Sequence, residues 1–246
     1  MDGLLIVNKP RGITSFQVVK TIRRMTKIKK VGHGGTLDPL AEGVLLIFLG
    51  RATKKTGFFL GADKGYFAEM VLGVTTDTFD SDGRVENRSQ CDVDIDRIKG
   101  VLGRYLGEVM QVPPMFSAKR HKGQRLYKLA RAGVSVKREP RKINIYKIEL
   151  INYFADDPPR VQFGVYCSKG TYIRTLVSDI GEELGCGAHL SRLVRTYSHP
   201  FVLSQALSLE TLENLVKLGR LGEVVLNVDE ILGEISKERI NEKRTA

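Results

Sequence analysis

The chain has few cysteines and no long apolar run. These two absences limit the classes of protein to which it can belong. Its three cysteines, Cys91, Cys167 and Cys186, are widely spaced, and no two of them form a CxxC pair. This pattern predicts neither a disulfide framework nor a zinc site, and it is typical of a reduced, metal-free protein of the cytoplasm. No apolar stretch approaches the ~20 residues of a membrane span. The first residues also lack the basic start and apolar core of a signal peptide.

Acidic residues are scarce in two short windows. Between positions 115 and 142 there are ten basic residues and one acid, Glu139, and between 20 and 30 there are six basic residues and no acid. The whole chain carries a net charge of +11, so the remainder is net negative. One such patch is typical of an ordinary solvated surface, but two of them favour binding to a polyanion, DNA or RNA, whose condensed counterions are released.

The twelve residues GHGGTLDPLAEG at positions 32–43 stand out because they hold four glycines and one carboxylate next to a proline. Pro39 has a fixed φ and disfavours helical geometry at Asp38. The apolar run 44–49 that follows predicts a buried strand. Two interpretations stay open from the spacing: an Asp-Pro turn with a capping carboxylate, which is favoured, or a loop that presents Asp38 for chemistry.

Hydrophobic periodicity predicts an α+β fold with a mixed, largely antiparallel sheet flanked by helices. Alternating apolar residues at 143–150 and 161–166 indicate half-buried strands. The segment 66–74 reads as a further strand, followed by a polar turn over 75–83. The interleaving of such strands with helices disfavours a doubly wound parallel sheet.

Helices are predicted at six places by apolar spacing together with capping and stop residues. The first begins at Thr14-Ser15 and carries Phe16, Val19, Ile22 and Met25 on one face. The others cover 94–102, 124–132, 172–184, 208–218 and 221–231. One domain is predicted over 1–235, and 236–246 is predicted to be a charged, flexible tail.

Seven segments in order resemble the TruB family of tRNA pseudouridine synthases. The glycine-rich segment resembles the GHxGTLDPxAxG motif that holds the family's catalytic aspartate. The other matching segments are NKPRGITS (8–15), KGYFA (64–68), LGVTTDT (72–78), QVPPMFSA (111–118), GTYIRTL (170–176) and HLSRLVRT (189–196). The matches span most of the chain, and their common order makes the resemblance specific.

The resemblance implies a tRNA pseudouridine-55 synthase, an isomerase that flips out the T-loop uridine and needs no metal or cofactor. It implies that Asp38 is the nucleophile and that a cation, Arg174, lies beside it. Without the motif, the interpretation of Arg174 would be an exposed charge on a helix. Tyr66 would stack on the uracil and take a proton from carbon, although a tyrosine in an alternating strand usually fills a core.

Further residues acquire binding roles through the same resemblance. His33 would fill the space of flipped bases, Tyr172 would close the pocket, and Leu193 would pack against the uracil. Lys9 would support the loop, and the loop glycines, Gly35 among them, would leave room for a nucleotide. The basic segment 115–142 would be a thumb-like insertion that grips the T arm of tRNA. Its candidate RNA-binding residues are Lys119, Arg120, Lys122, Arg125, Lys128 and Arg131.

Two residues of the motif depart from the family pattern, and so does the extent of the chain. Gly34 stands where the family usually has Thr, and Glu42 is a second departure; altered loop stiffness is expected from both. We expect no C-terminal RNA-binding PUA-type domain. We expect the protein to be a monomer. Two alternatives stay open: a non-catalytic tRNA-binding or tRNA-folding module with the same fold, and the catalytic subunit of an RNA-guided pseudouridine synthase.

Overall fold

The fold is given by a computed structural model that describes residues 1–117, 119–121 and 123–245. Its strands are β1 (Gly3–Lys9), β2 (Val31–His33), β3 (Glu42–Leu49), β4 (Lys64–Leu72), β5 (Val74–Thr76), β6 (Val85–Arg88), β7 (Gly107–Gln111), β8 (Arg120–His121), β9 (Gln124–Arg125), β10 (Arg141–Phe154), β11 (Arg160–Cys167), β12 (Ala188–Ser198) and β13 (Phe201–Val202). Its helices are α1 (Ser15–Thr26), α2 (Thr56–Leu60), α3 (Ile95–Arg104), α4 (Leu126–Arg131), α5 (Ile173–Leu184), α6 (Leu209–Lys217) and α7 (Val228–Thr245).

Two compact units divide the chain. The first unit comprises residues 1–62 and 195–246, and the second comprises 63–194. Because β12 crosses this boundary, its first seven residues belong to the second unit. The sequence predicted one catalytic domain over 1–235. The division into compact units does not test whether this region folds as one domain, so this stays a prediction.

The first unit is built on an antiparallel pair of strands. β1 pairs with β3 from Gly3↔Leu49 to Lys9↔Gly43, and β2 pairs with the far end of β3. The predicted strand 44–49 is confirmed, and its residues are fully buried because the strand lies in the core of the unit. That core contains Leu4, Ile6, Val44, Leu46, Phe48, Ala52, Phe59, Phe201 and Val228. The register places Lys9 at the end of the glycine-rich loop.

The second unit has four neighbouring antiparallel strands in the order β4, β11, β10, β7. Helix α5 presents the predicted apolar face, and Gly185 ends it in the left-handed conformation at φ 86°. Asp94 caps α3, whose buried residues are Ile98, Val101 and Leu102. Antiparallel pairing in both units, with helices alongside, confirms the predicted α+β class.

Several predicted elements differ from the structure. Phe16 was expected on the buried face of α1, but it is 56% exposed because the buried stripe runs through Ser15, Val18, Val19 and Ile22. The helix predicted over 124–132 is shorter, since Gln124–Arg125 pairs with Arg120–His121 as a small hairpin before α4.

The predicted helix 221–231 is interrupted. A 3-10 turn covers Leu221–Val224, and the Asn227 side chain accepts a hydrogen bond from the Asp229 N–H and so begins α7. The helix then continues through the tail to Thr245, in line with the high helix propensity of its Glu, Lys and Arg residues.

The cysteine prediction is wrong in one respect. Cys91 and Cys186 are joined in a disulfide that closes a loop within the second unit, and Cys167 is free and buried. Their separation of 95 residues hides this proximity in the sequence. Among the residues described, no helix is both long enough and apolar enough to pass through a membrane.

Candidate functional site

Asp38 lies at the start of a tight turn between β2 and β3. The Ala41 N–H donates to the Asp38 carbonyl at 3.1 Å, which closes a β-turn with Pro39 at its second position. Leu37 and Leu40, on either side of this Asp-Pro pair, are buried. Asp38 itself is half-buried. The structure therefore contains the Asp-Pro turn of the favoured interpretation, and the main-chain carbonyl of Asp38 closes this turn.

Lys9 fixes this turn from the end of β1. Its side chain is completely buried, and its Nζ donates to the carbonyls of Pro10 at 2.8 Å, Ile13 at 2.6 Å and Pro39 at 3.4 Å. The Gly12 N–H donates to the same Pro39 carbonyl at 2.8 Å. The segment 9–13 and the turn thus form one hydrogen-bonded unit.

Burial changes the protonation of Lys9. It lowers the pKa of the Lys9 amine to about 8, against the opposing effect of the negative charges of Asp38 and Glu42. The charge of Arg195 lowers the pKa of Lys9 further. Two cations and two carboxylates therefore interact electrostatically around the loop.

Ser15 holds the residue before Asp38. Its hydroxyl accepts from the Leu37 N–H at 2.8 Å and donates to the Leu37 carbonyl at 3.0 Å, and the Ser15 side chain is buried. Ser15 is placed by Thr14, whose side chain accepts from the Gln17 N–H and caps α1. The start of α1 thereby aligns the main chain at the catalytic candidate.

Arg195 is a second buried cation beneath the same loop, and sequence reasoning gave it no role. It is 1% exposed, and it donates from Nε to the Val44 carbonyl at 2.6 Å and from Nη2 to the Gly35 carbonyl at 3.3 Å. A Cβ at Gly43 would collide with the Arg195 main chain, and Gly43 has a φ of 99°. Glycine is therefore required at this crossing. The only signal in the sequence was the position of Arg195 in the last matching motif.

The Gly34 departure has a packing explanation. A Cβ on Gly34 would lie 2.8 Å from the Cε2 atom of Phe48 and 3.4 Å from the Cβ of Leu46. Phe48 is fully buried and packs against Phe59 with the rings tilted, at a centroid distance of 5.3 Å. The aromatic ring thus occupies the space that a larger residue at position 34 would need.

In the second unit, Arg174 lies in the first turn of α5 and is 4% exposed, so it is not an exposed helix charge. Its Nη1 donates to the Thr78 carbonyl at 2.9 Å and its Nη2 to the Phe116 carbonyl at 2.7 Å. Its Nε lies 3.4 Å from Oδ2 of Asp80, which is also buried. The guanidinium thus joins three chain segments of this unit.

Asp80 was missed by sequence reasoning, which saw only a polar turn over 75–83. Its Oδ1 accepts from the Thr78 hydroxyl at 2.6 Å and from the Asp82 N–H at 3.1 Å. Its carbonyl accepts from the Thr76 hydroxyl at 2.7 Å. Phe79, between them, has a φ of 64°, unusual for a residue with a side chain. These hydrogen bonds fix the turn and orient Asp80, which pairs with Arg174.

The aromatic candidates occupy defined positions in the second unit. Tyr66 is half-buried in β4 opposite Val165 of β11. Tyr172 is half-buried at the N-cap of α5, where its N–H donates to Gln111 Oε1 at 2.8 Å and its carbonyl accepts from Gln111 Nε2 at 3.0 Å. Leu193 of β12 is buried. His33, in the first unit, is half-buried at the end of β2.

The basic insertion is described only in part. Lys119 Nζ lies 5.7 Å from the centroid of the Tyr172 ring, and burial lowers the pKa of Lys119. Lys128 is exposed on α4. Lys122 lies outside the described residues, and so do the side chains of Arg120, Arg125 and Arg131. Among the described residues, no group of three or more His, Cys, Asp or Glu side chains could hold a metal ion.

Comparison with known proteins identifies the family. Residues 23–173 match the sequence model described as "TruB family pseudouridylate synthase (N terminal domain)", which is more than half of the chain. The chain belongs to the TruB family of pseudouridylate synthases. Residues 174–233 match the C-terminal domain of tRNA pseudouridylate synthase B. The resemblance found in the sequence motifs is thereby confirmed.

Curated TruB relatives cover most of this chain. A protein of Dehalococcoides mccartyi (strain CBDB1) named tRNA pseudouridine synthase B is 45% identical over 244 residues, which are 99% of this chain and 80% of the relative. A protein of the same name from Stutzerimonas stutzeri (strain A1501) is 48% identical over 215 residues, 87% of this chain and 70% of the relative.

A solved structure shows the same fold as this TruB-family chain. A chain in the crystal structure of a Cbf5-Nop10-Gar1 complex aligns with a TM-score of 0.68 at 35% identity. The alignment covers 86% of this chain and 54% of that chain, so this chain spans about half of the solved one.

Proposed function

We propose that this TruB-family protein converts the T-loop uridine of tRNA to pseudouridine, with Asp38 as the nucleophile. The observation that carries the proposal is the fixation of the Asp38 turn, whose neighbours on both sides are held by buried groups. Presenting one carboxylate in fixed geometry is what nucleophilic catalysis requires. The family membership and the names of the relatives support the reaction and the tRNA substrate.

The proposed reaction is an isomerisation, so it consumes no second substrate. The bond between ribose C1′ and uracil N1 breaks, the base rotates, and a bond from C1′ to C5 forms. A proton leaves C5, and N1 gains one. Asp38 adds to the ribose or to the uracil ring and leaves when the new glycosidic bond is complete. Tyr66 accepts the proton from C5 as general base.

The remaining candidates bind the flipped uridine. Tyr66 stacks on the uracil, Leu193 packs against it, and Tyr172 closes the pocket. His33 fills the place that the flipped bases leave, and Gly35 allows the nucleotide to approach the main chain. Unstacking the base costs a few kcal/mol, which contacts elsewhere on the RNA must offset. The pairing of Arg174 with Asp38 concerns residues of two different units and stays a prediction.

The insertion 115–142 supplies the contact with the T arm. Lys119 and Lys128 bind phosphates, and Gly123 and Gly133, at φ 86° and 72°, allow sharp turns in this segment. The expected charge contrast with the rest of the chain supports this assignment. The expectations of a cytoplasmic monomer that needs no cofactor belong to the same proposal.

The decisive experiment compares wild type with Asp38→Asn on an unmodified T-arm stem-loop and on full-length tRNA. We expect no detectable pseudouridine from Asp38→Asn at enzyme concentrations where wild type completes the reaction, with RNA binding within about threefold, because the amide cannot act as the nucleophile. Asp92→Asn, at an exposed loop position, is the matched control and is expected to match wild type.

Each part of the proposal can fail separately. Equal product from Asp38→Asn and wild type would overturn the nucleophile assignment. Product from a stem-loop in which cytidine replaces the T-loop uridine would overturn the position. Binding without product from wild type would favour the non-catalytic module.

A further inference from the structure

The exposed side of α1 carries a stripe of positive charge that the proposed reaction does not use. Its members, here called the α1 stripe, are all exposed: Phe16, Lys20, Arg23, Arg24, Lys27, Lys29 and Lys30. At 3.6 residues per turn, Phe16, Lys20 and Lys27 fall on one side of the helix, with Arg23 and Arg24 next to them. Lys29 and Lys30 continue the charge beyond the C-cap at Lys27.

The charge of the α1 stripe is not balanced by carboxylates. Between Asp2 and Asp38 the sequence contains no acidic residue. Among the described residues, none of the six cations forms an ion pair with Asp or Glu. Four exposed cations elsewhere in the first unit do form ion pairs: Arg51 pairs with Asp2, Lys55 with Asp229, Lys217 with Glu213 and Arg220 with Glu223.

Helix stability does not explain the α1 stripe. Cations in the last turn, Arg23 and Arg24, interact favourably with the helix dipole. Lys20, however, stands three and four residues before them, and like charges at this spacing destabilise a helix. Lys29 and Lys30 lie outside the helix altogether. The arrangement therefore has an electrostatic cost in the free protein, and a bound polyanion would remove it.

Phe16 adds a feature that a solvated lysine surface does not need. Its ring is 56% exposed, and Lys20 Nζ lies 5.0 Å from its centroid. An exposed aromatic ring beside cations suits RNA, in which bases and riboses stack on aromatic rings while phosphates bind lysine and arginine.

We propose that the α1 stripe is a second RNA-binding surface, formed by other residues than those of the insertion 115–142, that binds the sugar–phosphate backbone of the substrate tRNA. The proposal rests on tRNA being the substrate. Charge complementarity with the phosphates, together with the exposed ring of Phe16, defines the surface. It adds affinity and takes no part in the chemistry at Asp38.

The test measures binding to full-length tRNA and to the T-arm stem-loop at several salt concentrations. The variant Lys20→Gln/Arg24→Gln/Lys27→Gln is compared with Lys217→Gln/Arg220→Gln/Lys237→Gln. Both triple variants remove three exposed positive charges from the first unit, so they match in the charge removed. They differ in the location of the charges and in the ion pairs that Lys217 and Arg220 form. Circular dichroism and thermal unfolding check that each variant is folded.

We expect the α1 variant to bind full-length tRNA at least tenfold more weakly at low salt, and the slope of log K against log[salt] to fall by about 2–3, since each lost phosphate contact removes roughly 0.7–0.9. The control should stay within twofold of wild type with an unchanged slope. Phe16→Ala should weaken binding severalfold without changing the slope.

Loss of affinity on full-length tRNA alone would put the contact outside the T arm, and loss on both RNAs would put it on the T arm; either result supports the surface. Equal slopes for the α1 variant, the control and wild type would overturn it. Because the binding measurement needs no turnover, it distinguishes failure of this surface from failure of the proposed reaction, which would appear as absent product from wild type.

Discussion

Among the residues that the structure describes, two arginines are buried, one in each unit. Arg195 donates to the carbonyls of Gly35 and Val44 under the Asp38 loop. Arg174 also donates to two carbonyls, and it forms a buried ion pair with Asp80. In both cases a planar guanidinium joins segments far apart in sequence. In the second unit, the carboxylate of Asp80 helps to orient the guanidinium of Arg174.

From this comparison we expect the largest loss of stability from a substitution of Asp80 in the second unit. Asp80→Asn keeps the shape but removes the negative charge next to the buried Arg174, and breaking a buried ion pair costs about 3–5 kcal/mol of stability. Urea unfolding measures the loss, and pseudouridine formation should fall with it. The control is Asp82→Asn, at an exposed position on the same turn. A loss below about 1 kcal/mol for Asp80→Asn would mean that the pair with Arg174 is unimportant.

The first unit should respond to Arg195→Met with a smaller loss. The substitution removes the hydrogen bonds to the Val44 carbonyl and to the carbonyl of half-buried Gly35, at a cost of about 2–4 kcal/mol. Arg195→Lys keeps the charge and one hydrogen bond, so it should recover part of the stability and of the turnover number. Affinity for tRNA should be unchanged in both variants. Arg220→Met, at an exposed position, is the control. A variant with normal turnover would show that the loop is positioned without Arg195.

Packing between the loop and its core should give the next effect. Gly34→Thr places a side chain against Phe48 and should cost about 1–3 kcal/mol through overpacking. Phe48→Leu in the same chain makes room, so the double variant should be more stable than the sum of the two single effects predicts. Strict additivity in thermal unfolding would contradict the contact between position 34 and the ring.

The smallest effect concerns pH and Lys9. Below pH 8 its amine is charged in both the native and the unfolded protein. Between pH 8 and its unfolded value of 10.5, the native protein releases the proton first, so its stability rises. The unfolding free energy of wild type relative to Lys9→Met should therefore increase by about 1–2 kcal/mol from pH 8 to 10. Parallel pH profiles of the two proteins would contradict the lowered pKa.

Local pattern was sufficient for the elements that carry their own signals. The alternating strands, the buried run 44–49 and helix α5 with its stop at Gly185 all appear where periodicity predicted them. The assignment failed where a tertiary contact decides: Phe16 is exposed because α1 presents a neighbouring stripe to the core, and Cys91 meets Cys186 across a long separation.

The candidate site divides in the same way. The sequence identified Asp38, Tyr66 and Arg174 as candidates, because each lies in a short segment that resembles a motif of the family. It could not mark Arg195 or Asp80 as partners, because each acts on main-chain groups or a side chain at least 94 positions away. Nothing local distinguishes such a residue from an ordinary strand arginine or turn aspartate.

The sequence by itself therefore determined the family, the α+β class, the glycine-rich turn at Asp38 and the two acid-poor basic segments. These features depend on residue type and short-range spacing, which the chain displays directly. Only the tertiary structure decided which buried cations hold the loop, which carboxylate orients Arg174, and that the charges of α1 stand without carboxylate partners among the described residues. Those properties depend on which distant segments meet, and burial then fixes their hydrogen bonds.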